Sequence, residues 1–161
     1  MDKKLLSTFN EQIKNELYSE YLYLSMSAYF ESVNLPGFSH WMKKQAGEER
    51  VHGMKMFDFL CDRGERVILE AIPQPPIEFS SAKEVFEETL KHEKKVTALI
   101  NNLYNISVKV NDQAAMVFLQ WFITEQVEEE KNPTKILGDI KMIKPDSGAI
   151  LILDRELAKR E

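Results

Sequence analysis

One arrangement of metal-ligand-type residues occurs twice in this 161-residue chain, at a constant offset of 77 positions. Each copy has one lone residue and then, 33 positions later, a pair of residues three positions apart. The two copies are Glu16, Glu49 and His52, and Glu93, Gln126 and Glu129. Side chains three positions apart share one face of a helix. The repeat therefore predicts two similar helix pairs, each carrying polar groups at matched positions.

Apolar residues at steps of three and four predict four long helices. They cover roughly residues 3–33, 37–64, the segment after Ser81 and the segment after Asp112. Ser81 and Glu84 have the spacing of a capping box at the start of the third helix. In each helix pair, the lone glutamate and the two-residue motif lie about equally many residues from the turn. Because helix rise is about 1.5 Å per residue, they should lie at one level of the bundle.

The segment from residue 65 to residue 80 has a different character. It contains IPQPPIEF, and three prolines in four positions exclude a helix there. Sixteen extended residues reach about 50 Å, whereas a 28-residue helix is about 42 Å long. The chain is therefore predicted to be an all-α four-helix bundle of two antiparallel pairs joined by one long crossover.

The remaining tail predicts a short fifth helix. Lys144-Pro145-Asp146 ends the fourth helix, and AILILDREL follows. One domain is expected over residues 1–161, with the bundle at about 3–143 and the terminal helix at about 146–160. The apolar face of this helix needs cover. A subunit interface and the chain's own bundle are both open alternatives.

The inward positions of the predicted helices carry several carboxylates. They are Glu16, Glu20, Glu49, Glu93 and Glu129, and no lysine or arginine lies on the same stripes nearby. A buried ion costs several kcal/mol unless it is paired. Two divalent cations bridged by a shared carboxylate would offset that cost. His40 and His92 have no such partners and are expected at the surface or at helix ends.

Composition narrows the class of protein. The net charge is −5, which argues against nucleic-acid binding. No apolar run approaches the length of a membrane span, and the first residues lack the apolar core of a signal peptide. The single cysteine, Cys61, suits a reducing compartment. We therefore expect a cytoplasmic protein.

Several motifs together resemble the non-haem bacterial and archaeal ferritins over essentially the whole chain. They are NELYSEYLYLSMSAYF, GFSHWMKKQ, GEERVHGMKMFDFL, the KHE around Glu93, and FLQWFITEQVEEE. The resemblance implies a ferritin-like bundle and a hollow homo-oligomeric shell of 24 subunits. It also implies oxidation of Fe²⁺ by dioxygen or peroxide and storage of ferric mineral inside the shell.

The resemblance also assigns roles to residues. It implies two iron ions per subunit and a third iron site, with catalytic roles for Tyr23, Glu49 and His52. The first site has Glu16, Glu49 and His52; the second has Glu49, Glu93 and Glu129, with Gln126 nearby; the third has Glu48, Glu125, Glu128 and Glu129. Bacterioferritins bind haem through a methionine directly after the first ligand glutamate, where this chain has Arg50. We therefore expect no haem.

Other functions remain open at this level. A di-metal oxygenase or peroxidase would use the same ligands, but no rubredoxin-like cysteine motif accompanies them. A non-catalytic shell that protects DNA or only binds metal is a further alternative. Pro133 lies four positions after Glu129 and predicts a kink that affects the direction of that ligand.

Overall fold

The computed structural model describes residues 1–144 and 148–161, and the described part contains five helices and no strand. The helices are α1 (Lys3–Ser32), α2 (Pro36–Asp62), α3 (Ala82–Lys109), α4 (Gln113–Met142) and α5 (Ala149–Leu157). The predicted four-helix bundle with a short fifth helix is confirmed. The predicted break at Pro145-Asp146, and the first residues of the predicted fifth helix, fall outside the described residues.

Side-chain caps explain where three of the long helices begin. The carboxylates of Asp2 and Asp112 accept backbone N–H groups in the first turns of α1 and α4. Ser81 accepts the N–H of Glu84 at 3.2 Å at the start of α3. The Glu84 carboxylate returns to the N–H of Ser80 at 2.5 Å, one residue earlier than in the predicted capping box. Such caps satisfy N–H groups that have no partner within the helix.

Each antiparallel helix pair turns at an asparagine. Asn34 lies between α1 and α2 with φ 62°, and Asn111 lies between α3 and α4 with φ 54°. Asparagine tolerates this left-handed conformation better than most residues. These turns are also 77 positions apart, as the sequence repeat requires. Arg63, after α2, forms two hydrogen bonds of 2.9 Å to Asp112 before α4, which brings these helix ends together.

The segment between α2 and α3 runs along α1 from one end to the other. The amino group of Met1 contacts Glu65 at 2.6 Å, and Ser25 Oγ donates to the carbonyl of Pro76 at 2.6 Å. Eleven extended positions and 24 helical positions both span about 36 Å. The matching lengths confirm the long crossover. It starts α3 at the end of the bundle that holds the α1–α2 turn, where Phe86 contacts Phe30 and Phe38, so α3 runs parallel to α2.

α5 packs against α2 of the same chain. Its buried Asp154 accepts the N–H of Phe38 at 2.9 Å and so caps α2, whose own N-terminal residue Leu35 provides no side-chain cap. A Cβ on Gly37 would lie 1.7 Å from the carbonyl oxygen of Asp154, so only glycine allows this approach. Of the two alternatives for α5, packing on the chain's own bundle is thus confirmed for the face that carries Asp154 and Leu157. Leu151 and Ile152 are exposed, and their burial between subunits stays a prediction.

Two apolar clusters fill the bundle, one towards each end. One cluster is centred on Phe30, Phe38 and Phe86, and the other contains Phe9 and Phe122. Each long helix contributes to both clusters, and the polar residues of the repeat lie between them along the chain. α4 continues as one helix through Pro133 to Met142. Within the described residues no helix has a stretch long and apolar enough to cross a bilayer.

Candidate metal centre

The polar residues of the sequence repeat meet in the layer between the two apolar clusters. All are at most 5% exposed, and they come from four helices. They are Glu16 of α1, Glu49 and His52 of α2, Glu93 of α3, and Gln126 and Glu129 of α4. The helical pattern that turns apolar residues inward also turns these residues inward. The bundle therefore has a buried acidic layer at mid-height.

Two groups of three ligand atoms share one carboxylate. Glu16, Glu49 and His52 form the first group, and Glu49, Glu93 and Glu129 form the second. Within each group the ligand atoms lie within 4.8 Å of one another. His52 Nδ1 is 3.5 Å from Glu49 Oε2. Because Glu49 belongs to both groups, its carboxylate can contact two cations.

A third group lies next to these two. It combines His52 and Glu129 with Glu125, which is half-buried, again with ligand atoms within 4.8 Å of one another. Glu128 is exposed, and the Glu48 carboxylate hydrogen-bonds to the Arg160 guanidinium. In the described part of the chain, neither Glu48 nor Glu128 joins a metal-ligand group. The structure thus brings together two of the four residues expected at the third iron site.

The electrostatics of the layer favour a bound cation. Burial, followed by the negative charge of Glu49, raises the pKa of Glu16 from 4.5 to about 8. Burial raises the pKa values of Glu93 and Glu129 to about 7 and that of Glu49 well above its ordinary value. Within the described residues Glu16 Oε2 has no hydrogen-bond partner. A cation would replace the protons that these carboxylates otherwise hold and would give Glu16 Oε2 a partner.

Two glutamines, Gln12 and Gln45, hold three of the carboxylates in place through their amides. Gln12 Nε2 donates to Glu16 Oε1 at 2.8 Å. Gln45 Nε2 donates to Glu49 Oε1 at 3.0 Å and to Glu129 Oε2 at 2.5 Å. Sequence reasoning missed both glutamines as site residues. Each lies four positions before a glutamate of the repeat, and this spacing on one helix face is the signal that would have found them.

The Gln126 amide contacts Glu93. Its Nε2 donates to the Glu93 carboxylate at 3.4 Å and to the Glu93 carbonyl at 3.3 Å. The Tyr23 hydroxyl donates to the other oxygen of Glu93. Burial, followed by the charge of Glu93, raises the pKa of Tyr23 well above 10.0, so the hydroxyl keeps its proton. Glu93 is therefore oriented from two sides.

Two expectations about individual residues are wrong. His92 does not lie free at the surface: its Nε2 is 2.8 Å from Ser19 Oγ, and its ring contacts the edge of Tyr23. Burial lowers the pKa of His92 to about 4. Glu20 is half-buried and has a cationic neighbour, since Arg50 lies 3.5 Å from its carboxylate. Each residue lies at the edge of the inward stripe, where periodicity alone decides exposure poorly.

Comparison with known proteins gives a consistent answer. The family model described as "Ferritin-like domain" matches residues 6–143. The bacterial non-haem ferritin of Staphylococcus saprophyticus is 39% identical over 160 residues, covering 99% of this chain and 96% of that protein. The counterpart from Staphylococcus aureus strain USA300 is 36% identical over the same shares. An open pore ferritin from the archaeon Archaeoglobus fulgidus superposes with a TM-score of 0.98 at 45% identity, covering 100% of this chain and 98% of that chain. The chain therefore belongs to the ferritin family of iron-storage proteins.

Proposed function

We propose that this chain oxidises Fe²⁺ in the buried acidic layer and delivers ferric iron to the interior of a shell built from copies of itself. The single observation that carries the proposal is the shared position of Glu49 in two groups of ligand atoms. Fe²⁺ is the substrate, and two ions occupy each subunit. One ion takes Glu16, Glu49 and His52, and the other takes Glu49, Glu93 and Glu129.

The donor set suits this reaction. Carboxylate oxygens are hard ligands that favour the ferric product, whereas sulfur ligands would favour softer metals. Two Fe²⁺ ions supply one electron each, and dioxygen with two protons accepts them as hydrogen peroxide. Peroxide can serve as an alternative oxidant in the same two-electron step. Glu49, contacting both ions, fixes their separation.

Tyr23 has a supporting role in this proposal. Its hydroxyl donates to Glu93, and its raised pKa keeps that proton in place. Groups that hydrogen-bond to a metal ligand orient it and change its basicity. Tyr23 and Gln126, one at each oxygen of Glu93, thus orient this carboxylate in the second position.

A third iron site accounts for the exit of the product. Glu125, with His52 and Glu129, forms a group that adjoins the first two. We infer that Glu48, which is half-buried and paired with Arg160, and Glu128, which is exposed, lie further along this path. Ferric iron leaving Glu129 passes along these carboxylates to the shell interior. We infer a homo-oligomer of 24 subunits. We also infer that it lacks haem, like the relatives named non-haem ferritins.

Stopped-flow measurement of Fe²⁺ oxidation under air tests the proposal. Glu49→Ala and His52→Ala should each lose the fast phase, because both ions depend on Glu49 and one depends on His52. Glu11→Ala is the matched control, since Glu11 is exposed on α1. Wild-type rates in Glu49→Ala would contradict the assignment. Particle mass and bound iron per subunit, measured on the same samples, separate storage from a di-metal oxygenase, which would remain small.

A further inference from the structure

The residues after α5 reach back to the candidate metal centre through Arg160. Both terminal nitrogens of its guanidinium donate to Gln45 Oε1 at 3.1 Å. The guanidinium also lies over the ring of Trp41, 4.4 Å from the centroid, and pairs with Glu48. The side chain is 18% exposed. A cation carried by the C-terminal segment thus contacts a glutamine that is 1% exposed.

Gln45 is the link between Arg160 and the carboxylates. Its Nε2 donates to Glu49 and to Glu129, which are the carboxylates contributed by α2 and α4 to the second proposed iron position. A guanidinium has only donors, so it requires the amide oxygen to face it. A flipped amide would put its NH₂ group against the guanidinium and its oxygen against two carboxylates. Arg160 therefore fixes the orientation in which Gln45 donates to both ligands.

The C-terminal segment is itself held on α2, the helix that carries Gln45 and Glu49. The Asp154 cap on Phe38 and the close approach at Gly37 fix the start of α2 to α5. His40 Nε2 donates to the carbonyl of Arg160 at 2.8 Å. These contacts hold the segment that carries Arg160 against α2, beside Gln45.

We propose that Arg160 is a positioning residue for the metal centre: it locks the Gln45 amide, which directs Glu49 and Glu129 at the second cation. The inference rests on the proposed function, because it takes these two glutamates as ligands. Partners of this kind change metal affinity by about 10- to 100-fold when removed. Gln45 holds one ligand of the first cation, Glu49, but two ligands of the second, Glu49 and Glu129, so the second cation should be affected more.

Anaerobic titration of chelator-treated protein with Co²⁺, followed by visible absorption, tests the proposal. Wild-type protein should bind two equivalents at the centre. Arg160→Ala should weaken the second equivalent by about tenfold and the first by less, since Gln45 holds two ligands of the second position but only one of the first. Arg160→Lys should restore part of the affinity, because an ammonium group also only donates. Arg155→Ala is the matched control, since Arg155 is on α5 and exposed.

A double-mutant cycle separates positioning from general destabilisation. Gln45→Ala should weaken the second equivalent as Arg160→Ala does, and the double variant should be no weaker than Gln45→Ala alone. Thermal unfolding of each variant checks that the bundle is intact. Equal second-site affinity in Arg160→Ala and wild type, or additive losses in the double variant, would overturn the role of Arg160 and leave the proposed function standing. A wild-type protein that binds no Co²⁺ would overturn the proposed function together with this inference.

Discussion

Removing the charge of Glu16 should stabilise the metal-free protein at neutral and alkaline pH. Burial raises the pKa of Glu16 from 4.5 to about 8, so the folded state holds this proton more tightly than the unfolded chain. Between these two pH values the folded state binds more protons, and the free energy of unfolding therefore falls as the pH rises. Below about pH 4.5 Glu16 is protonated in both states and has no effect.

The size of this effect follows from the pKa. One pKa unit corresponds to about 1.4 kcal/mol, so the displacement of Glu16 from 4.5 to about 8 corresponds to about 5 kcal/mol. Glu16→Gln keeps the shape of the side chain and can still accept the hydrogen bond from Gln12, but it cannot ionise. At about 2–4 °C per kcal/mol for a chain of this length, Glu16→Gln should raise the Tm at pH 8 by about 10–20 °C.

Thermal unfolding of chelator-treated protein between pH 5 and pH 8.5, followed by circular dichroism, measures this difference. Wild type should lose stability with rising pH, and Glu16→Gln should lose less, although Glu49, Glu93 and Glu129 keep their own raised pKa values. Glu11→Gln is the control for the same chemical change at an exposed position of α1. Saturating Zn²⁺ should raise the Tm of wild type more than that of Glu16→Gln, because an ion that binds the folded state stabilises it and wild type keeps the Glu16 ligand. Parallel pH profiles for wild type and Glu16→Gln would refute the reasoning.

Two further substitutions test the contacts around the centre. Gly37→Ala should displace α5, because the new Cβ would collide with the Asp154 carbonyl. The free energy of unfolding, measured with denaturant, should fall by about 2–4 kcal/mol, since the cap on α2 and the burial of Leu157 are both lost. Gly47→Ala is its control, since a Cβ there meets nothing within 4 Å, and equal losses in both variants would contradict the contact. Tyr23→Phe should raise the pKa of Glu93 above about 7, because burial raises that pKa and the Tyr23 hydroxyl opposes the rise. Co²⁺ affinity at pH 6.5 should then fall about tenfold, as expected for a lost hydrogen bond to a charged group, and a loss of the same size at pH 8.5 would argue against this cause.

Regularities that are local in the chain made much of the fold predictable. The 77-position repeat predicted two helix pairs, and the turns at Asn34 and Asn111 repeat at the same offset. Helix rise is constant, so distance from a turn sets the height of Glu49 in the bundle. The prolines of the crossover exclude a helix, and chain length then decides where the segment can reach.

The contacts around the ligands could not be predicted, because they join residues that are far apart in the sequence. His92 and Ser19 are 73 positions apart, and Gln45 and Glu129 are 84 apart. Sequence spacing predicts which residues share a helix face, but it does not give the rotation of one helix against another. A rotation of a fraction of a turn decides whether His92 meets Ser19 or solvent. These contacts therefore appeared only in the structure.

By itself, the sequence determined four helices whose inward faces carry acidic residues at one height. Helical periodicity sets which side chains face inward, and helical rise sets their height; both are properties of the backbone that every residue shares. Only the tertiary structure decided which groups support those acids. Asp154 caps α2 from 116 positions away, and Arg160 contacts Gln45 from 115 positions away. The packing of α5 against the start of α2 sets both contacts, and this packing requires the missing side chain of Gly37.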